Sequence, residues 1–386
     1  MTPALKTLFR PACTLLLALS CAAPALAQVK IGVTISATGP AVSLGIPEKN
    51  TIALLPKTIA GKSVEYIVLD YASDTSAAVA NTRRLTTEFK VDAIIGSTTT
   101  PNSLAMTDTV AETGTPTISL ASSARIIEPM SEKKAWVFKT PQTDTMMVLA
   151  ILEHAARRGM KTMAYIGFSD ALGEAFYAEF EKFASLRKIS IVASERYASR
   201  DTSVTAQVLK LLASHPDMVV IGASGTPALL PARVLAERGY KGSLYFNHGV
   251  ANNDFLRLGG KDIEGAFVPT SPVVVAASLP ADHPARAQAL DYVKRYEAVY
   301  GAGSVSAFGA YTWDAGLLLA QAIPVALKTA APGTPEFRSA LRQALEGVRD
   351  LPLSNGVSNM SRNDHLGLDQ RARVIVRVEG GKWKLD

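Results

Sequence analysis

Two hydroxyl-rich segments carry most of the chemistry in this 386-residue chain. Both lie within residues 92–125, DAIIGSTTTPNSLAMTDTVAETGTPTISLASSAR. An apolar run at 93–95 stops at Gly96 and gives way to Ser97, Thr98, Thr99 and Thr100, after which Pro101 opens a helical pattern. A second extended run, 115–120, ends in Ala121, Ser122 and Ser123. Hydroxyls between a strand end and a helix N-terminus form a site for a carboxylate or phosphate, because free backbone N–H groups and the positive end of the helix dipole face the ligand there. Two such ends on neighbouring parallel strands would converge on one small polar group. The plain alternative is that these residues cap two helices, the commonest use of Ser and Thr in such places.

The elements that must position these hydroxyls alternate along the chain. Strand patterns fall at 29–35, 63–71, 93–97 and 115–120, and helical ones at 47–59, 75–90 and 101–112. After an extended stretch at 137–140 the series restarts, with helices at 146–158 and 173–186 and strands at 162–168, 189–192, 218–221 and 244–247. Short buried strands alternating with amphipathic helices predict an α/β fold with parallel central sheets and helices on both faces. Right-handed crossovers then gather the strand-ending loops on one edge, where such sheets bind ligands. Three successive helical patterns follow at 285–300, 305–327 and 334–347, and a hairpin closes the chain at 373–385 around Gly380-Gly381. The restart near residue 143 predicts two Rossmann-like lobes. They are expected at 28–142 plus 270–348 and at 143–269 plus 349–386, with crossovers near Lys139-Thr140-Pro141 and 269–272.

Residues 1–27 read as an export signal. Lys6 and Arg10 give a positive start, 13–23 is apolar but too short to span a bilayer, and Ala25-Leu26-Ala27 offers small residues before a cut at Gln28. Lipidation at Cys21 is the rival, although Ala18 stands where a Leu is usual. Cleavage after Ala27 lowers the net charge from +6 to +4 and removes both cysteines, Cys13 and Cys21. The mature chain then uses neither disulfides, zinc thiolates nor a cysteine nucleophile. Its charge is scattered, without a basic run or interleaved aromatics, so nucleic acid is not an expected partner.

Enzymatic motifs each lack a residue. Gly61-Lys62-Ser63 resembles the end of a phosphate-binding loop, but Pro56 occupies the place of its first glycine. No Gly-x-Gly-x-x-Gly follows the first strand, and Gly222-Ala223-Ser224-Gly225 lacks the nucleophile-elbow spacing. Ser131-Glu132-Lys133-Lys134 has no companion Lys-Thr-Gly. His154, His215, His248, His283 and His365 are far apart and form no His-Glu-x-x-His pair. No metal, cofactor or catalytic residue is expected. His248 alone sits at the end of a predicted strand on the ligand-facing edge; position by itself favours a partly exposed loop imidazole.

Taken in order, IGVTISATGPAVSLG, the hydroxyl-rich stretch ending in ISLASS, Leu172-Gly173-Glu174 and HGVAN at 248–252 resemble the periplasmic substrate-binding proteins of branched-chain amino acid ABC transporters, the type I periplasmic binding fold. The likeness spans the whole mature chain. It implies two lobes that close on a ligand about a three-stranded hinge, no enzymatic activity, a periplasmic location and delivery to an ABC permease by a monomer. It also places the ligand carboxylate on the hydroxyl and N–H of Thr100, with Thr98 and Thr99 beside it. The polar head falls on Ala121 and Ser123, flanking Ser122, and an apolar wall on Phe308.

The departures from that family concern the rest of the ligand. His248 stands where amino-acid binders carry the acidic residue that neutralises the α-ammonium, and Leu44, Leu172 and Ser224 stand where they carry tyrosines. An ammonium buried without its carboxylate costs several kcal/mol, roughly enough to abolish micromolar binding. The expected ligand is therefore a small carboxylate without an α-ammonium: an aromatic or branched aliphatic acid, or a keto acid. If the imidazolium form of His248 assists, affinity should fall as pH rises through about 6 to 8. Two alternatives stand beside transport. One is a ligand-sensing receptor of the same fold serving a regulatory partner; the other is a periplasmic hydrolase using Ser122 or Ser123 with His248, which lacks an acidic residue to orient the histidine.

Overall fold

The computed structural model describes residues 28–386; the expected cleavage after Ala27 and the rival lipidation at Cys21 lie outside the described residues. The first sheet holds β1 (Val29–Ile35), β2 (Thr58–Ile59), β3 (Lys62–Asp70), β4 (Ala93–Gly96), β5 (Thr117–Ser119) and β6 (Val137–Lys139). They run in the order β2-β3-β1-β4-β5-β6, parallel except for the β2–β3 hairpin. Helices α1 (Val42–Ile52), α2 (Thr75–Thr87) and α3 (Thr100–Glu112) alternate with these strands. β1 and β4 are buried along nearly their whole length, as strands covered by helices on both faces must be.

The second series contains α4 (Asp144–Arg157), β7 (Thr162–Phe168), α5 (Ala171–Phe183), β8 (Ser190–Tyr197), α6 (Thr205–Ala213) and β9 (Met218–Gly222). It continues with α7 (Leu229–Glu237), β10 (Ser243–Phe246), α8 (Asn253–Gly259) and β11 (Phe267–Thr270). The chain then crosses back. α9 (Arg286–Tyr300), α10 (Ala307–Ala326) and α11 (Pro335–Glu346) join the core of the first lobe around Leu44, Ile52 and Phe138. A short hairpin, β12 (Leu351–Pro352) with β13 (Val357–Ser358), precedes β14 (Val374–Glu379) and β15 (Lys382–Leu385), which complete a second sheet ordered β15-β14-β11-β10-β9-β7-β8. Two lobes of mostly parallel sheet therefore stand side by side, joined by three crossings near residues 140–143, 270–272 and 372–374.

The bounds differ from the expected ones at several places; residues 58–59, expected at the end of a helix, form β2, and β8 runs on to Tyr197, past the expected 192. α1 begins at Val42 and carries Pro47 inside it, where a proline-led start at 47 was expected. Packing of α1 along α10, with Leu44 and Ile52 in the shared core, outweighs the lost backbone bond. The return to the second lobe also comes late. Ser354 N and Asn355 Nδ2 donate to the buried Asp314 of α10 at 2.8 and 2.6 Å, and the His365 ring stacks on Phe138 at 4.0 Å. Residues 351–366 thus belong by packing to the first lobe, and the crossing expected at 349 falls after Ala372.

Among the described residues no helix is long and apolar enough to cross a membrane.

Candidate functional site

In each sheet the order reverses beside one strand. β1 lies between β3 and β4, and β7 lies between β8 and β9, so a crevice opens at the carboxyl ends of each pair. The two crevices face each other across a narrow cavity lined by residues of both lobes. The lobes are closed over it. Gly225, after β9, has φ +64°, and a Cβ there would come within 2.9 Å of Leu44 Cδ1 on the opposite lobe. Glycine is needed for both the conformation and the approach.

Of the expected ligand residues, Leu44, Thr98, Thr99, Thr100, Ala121, Ser122, Leu172, Ser224, His248 and Phe308 line this cavity. They come from α1, the β4–α3 and β5 ends, the start of α5, the β9 and β10 ends, and the start of α10. Gly96 makes the first turn possible: its φ is +130°, and a Cβ would sit 2.1 Å from the Thr34 carbonyl. The hydroxyls then divide by task. Ser97, Ser103 and Ser119 form a buried chain, with Oγ–Oγ distances of 2.9 and 2.7 Å, and Ser119 Oγ accepts from Ala121 N at 3.1 Å. That chain locks the two strand ends together. Thr98 Oγ1 accepts from Ser36 N at 3.0 Å and pairs with the buried Glu48 carboxyl at 2.6 Å. Burial holds Glu48 well above the usual carboxylate range.

Thr100 is the hydroxyl left over. Its Oγ1 is buried and has no partner, and Thr99, at the N-cap of α3, makes no side-chain cap bond. The capping alternative therefore does not account for this helix start. It does account for Ser123, which stands outside the cavity wall. Ser123 Oγ donates to Asp144 Oδ2 at 3.0 Å and accepts from Arg125 N at 3.3 Å, because the buried Asp144 at the start of α4 takes up that hydroxyl.

On the second lobe, His248 is buried, with 2% of its surface exposed, and neither ring nitrogen has a partner. A partly exposed loop imidazole is thereby replaced by a cavity-wall ring. Burial, reinforced by the nearby Lys139 ammonium, depresses its pKa to about 3. The ring of the ligand-free site is neutral through the physiological range, and the imidazolium form considered from sequence is not available to it. The neutral ring still offers one N–H donor.

Several residues at the site were not singled out as ligand residues in the sequence, Leu120, Pro141 and Gly249 of the lining among them. Asn247 lines the cavity; its Oδ1 accepts from Gly249 N at 2.7 Å while Nδ2 is unpartnered. Tyr311 lines it one turn along α10 from Phe308, a neighbour legible from the i,i+3 spacing. Its hydroxyl donates to Gln142 Oε1 at 3.1 Å, which ties the wall to the first crossing. Glu48 and Lys139 lie behind the wall, and only tertiary packing marks them.

The cavity thus offers unpartnered donors from both lobes, at Thr100, Asn247 and His248, within an apolar lining of Leu44, Leu120, Leu172 and Phe308. No charged side chain is among the residues that line it. Among the described residues there is no cluster of side chains that could hold a metal ion.

The sequence matches the periplasmic binding protein family over residues 28–382. No curated protein matches the chain in sequence. Among solved structures, an extracellular ligand-binding receptor from Rhodopseudomonas palustris HaA2 is similar at 44% identity and a TM-score of 0.90, over 93% of this chain and 100% of the other. A leucine-binding protein from Thermotoga maritima MSB8 is similar at 22% identity and a TM-score of 0.82, over 93% and 97% of the two chains. A solute-binding protein of an ABC transporter from R. palustris, in complex with benzoate, is similar at 21% identity and a TM-score of 0.76, over 93% and 95%. These relatives are an extracellular ligand-binding receptor, a leucine-binding protein and a solute-binding protein. The chain belongs to the periplasmic binding protein family, with the type I architecture, and is an extracytoplasmic ligand-binding protein rather than an enzyme.

Proposed function

We propose that this protein captures a small carboxylate lacking an α-ammonium in the periplasm and, as a monomer, delivers it to an ABC permease of the inner membrane. Residues 1–27 direct its export and are removed after Ala27. The observation that carries the ligand class is the neutral, buried and unpartnered His248, in a cavity whose lining contains no carboxylate. A zwitterionic amino acid would bury its ammonium there without a counter-charge, at a cost of several kcal/mol. A carboxylate alone finds the Thr100 hydroxyl and the start of α3 on one side and the Asn247 and His248 donors on the other. The apolar remainder of the ligand meets Leu44, Leu172 and Phe308, and Thr98, Thr99, Ala121, Ser122 and Ser224 complete the enclosure. The mostly apolar lining suits a monocyclic aromatic or branched aliphatic acid, or a keto acid, and the benzoate bound by a protein of the same fold is a ligand of this kind. A ligand touching both lobes favours the closed state, which is the form a permease would read.

Thermal unfolding of the mature protein against benzoate, 4-methyl-2-oxopentanoate, 3-methylbutanoate and leucine tests this. A true ligand at a hundred times its Kd adds about 2.7 kcal/mol of stability. Stabilisation by one of the acids and not by leucine is the expected result; tight leucine binding with no response to the acids would sink the reading.

A further inference from the structure

Lys139 ends β6 at the carboxyl edge of the first sheet. Its side chain is fully buried, and Nζ donates to the carbonyls of Ser122 at 2.6 Å, Pro141 at 2.8 Å and Gln142 at 3.2 Å. Ser122 and Pro141 are themselves part of the cavity lining, so the amine stands directly behind the wall. Three carbonyl acceptors match the three N–H donors of an ammonium, whereas a neutral amine has only two. Burial acts the other way and brings the group down to about 7. The carboxylates that act on it are Asp144 at the start of α4, Glu128 after the 124–126 turn and Asp364 in the segment after β13. Asp144 is occupied by Ser123 Oγ and Ala124 N, and is not among the residues that line the cavity. From the second lobe Lys139 is faced by His248, and it is the charge that acts on that ring. A cavity with no ionised lining therefore lies in the field of one buried cation.

We propose that Lys139 is the specificity-determining charge of this site: it selects an anionic ligand without touching it, and takes up a proton from solvent when that ligand binds. The inference rests on the carboxylate reading above and adds the source of the charge preference. Its pH dependence has a definite sign. An anion beside the amine raises its affinity for protons, so the bound state carries more of them. Affinity is flat below about pH 6 and falls above 7, by at most about tenfold per pH unit. A proton taken up by His248 would show instead at acid pH, because that ring titrates near 3 in the empty site.

Calorimetry of the mature protein with benzoate, at each pH in two buffers of different ionisation enthalpy that both buffer there, reads the proton directly. Uptake near zero at pH 5.5, about half a proton at pH 7 and close to one at pH 8.5 is expected. Lys139→Met should abolish the uptake and weaken benzoate at least tenfold at pH 6.5, while the neutral isostere benzamide changes by less than about threefold. Lys139→Arg keeps the charge and should retain the preference for benzoate over benzamide without proton uptake. In His248→Gln the uptake at pH 8.5 should persist at whatever affinity is left. Benzoate binding without uptake at pH 8.5, uptake that survives Lys139→Met, or unchanged benzoate affinity in that variant would each overturn the proposal while leaving the carboxylate reading intact. Failure of every acid in the panel to bind would overturn both. If Lys139→Met does not fold, wild-type uptake and the Lys139→Arg variant still decide.

Discussion

The two walls of the cleft are built on opposite plans. The first-lobe wall is a polar lattice in which most groups already have partners: Ser97, Ser103 and Ser119 hold one another, Thr98 is held by Glu48 and the Ser36 N–H, and the Ser122 backbone carbonyl accepts from Lys139. Of the hydroxyls that line the cavity from that wall, Thr100 is buried and unpartnered at the start of α3. The second-lobe wall instead presents Asn247 and His248 with donors unspent, beside the apolar Leu172. A preorganised wall supplies a fixed anchor for one polar group. An unsatisfied wall is incomplete until a ligand arrives, since buried donors without partners cost free energy that the ligand restores. On the proposed function, the first lobe determines that something anionic is held, and the second determines what else the ligand can carry.

The contrast can be broken by moving a charge across the cleft. His248→Glu places a carboxylate opposite the ligand's own. In a dry site this should cost several kcal/mol, roughly a hundredfold or more in benzoate affinity at pH 8, while leucine becomes a detectable ligand. Calorimetry with both ligands checks it; an unaltered benzoate affinity would mean that the second wall does not face the carboxyl group. Thr100→Val sharpens the comparison from the other side. It removes one hydroxyl at constant shape and should lose about 1.5–3 kcal/mol of binding to a charged ligand, roughly ten- to a hundredfold. A loss below threefold would place the ligand's anionic end elsewhere. The smallest effect on binding is expected at Ser123→Ala. Asp144 loses a buried partner, so urea unfolding should show about 1–3 kcal/mol less stability, with benzoate affinity within about threefold of wild type. A tenfold loss of affinity would return Ser123 to the binding wall.

Local pattern made the alternation of β4, α3 and β5 legible, along with the two hydroxyl clusters at their junctions. Hydroxyls, a strand stop at Gly96 and Pro101 near the helix start are all local signals. The division of labour among Thr98, Thr100 and Ser123 was not legible. It depends on Glu48, fifty residues before Thr98, and on Asp144, twenty-one after Ser123. Likewise, residues 351–366 contain no signal that they pack on the first lobe; that follows from Asp314 and Phe138, which accept them across the core.

The sequence by itself determined the α/β class, the two-lobe alternation and the residues that gather at the strand ends, because periodicity and turn chemistry act between near neighbours. Only the tertiary structure decided which of those groups are spent and which are free. It buried His248 until the ring became neutral, and it set Lys139 behind the wall against three carbonyls. The physical reason is that desolvation and electrostatic potential depend on everything packed around a group, and around His248 that includes Lys139, from the opposite lobe.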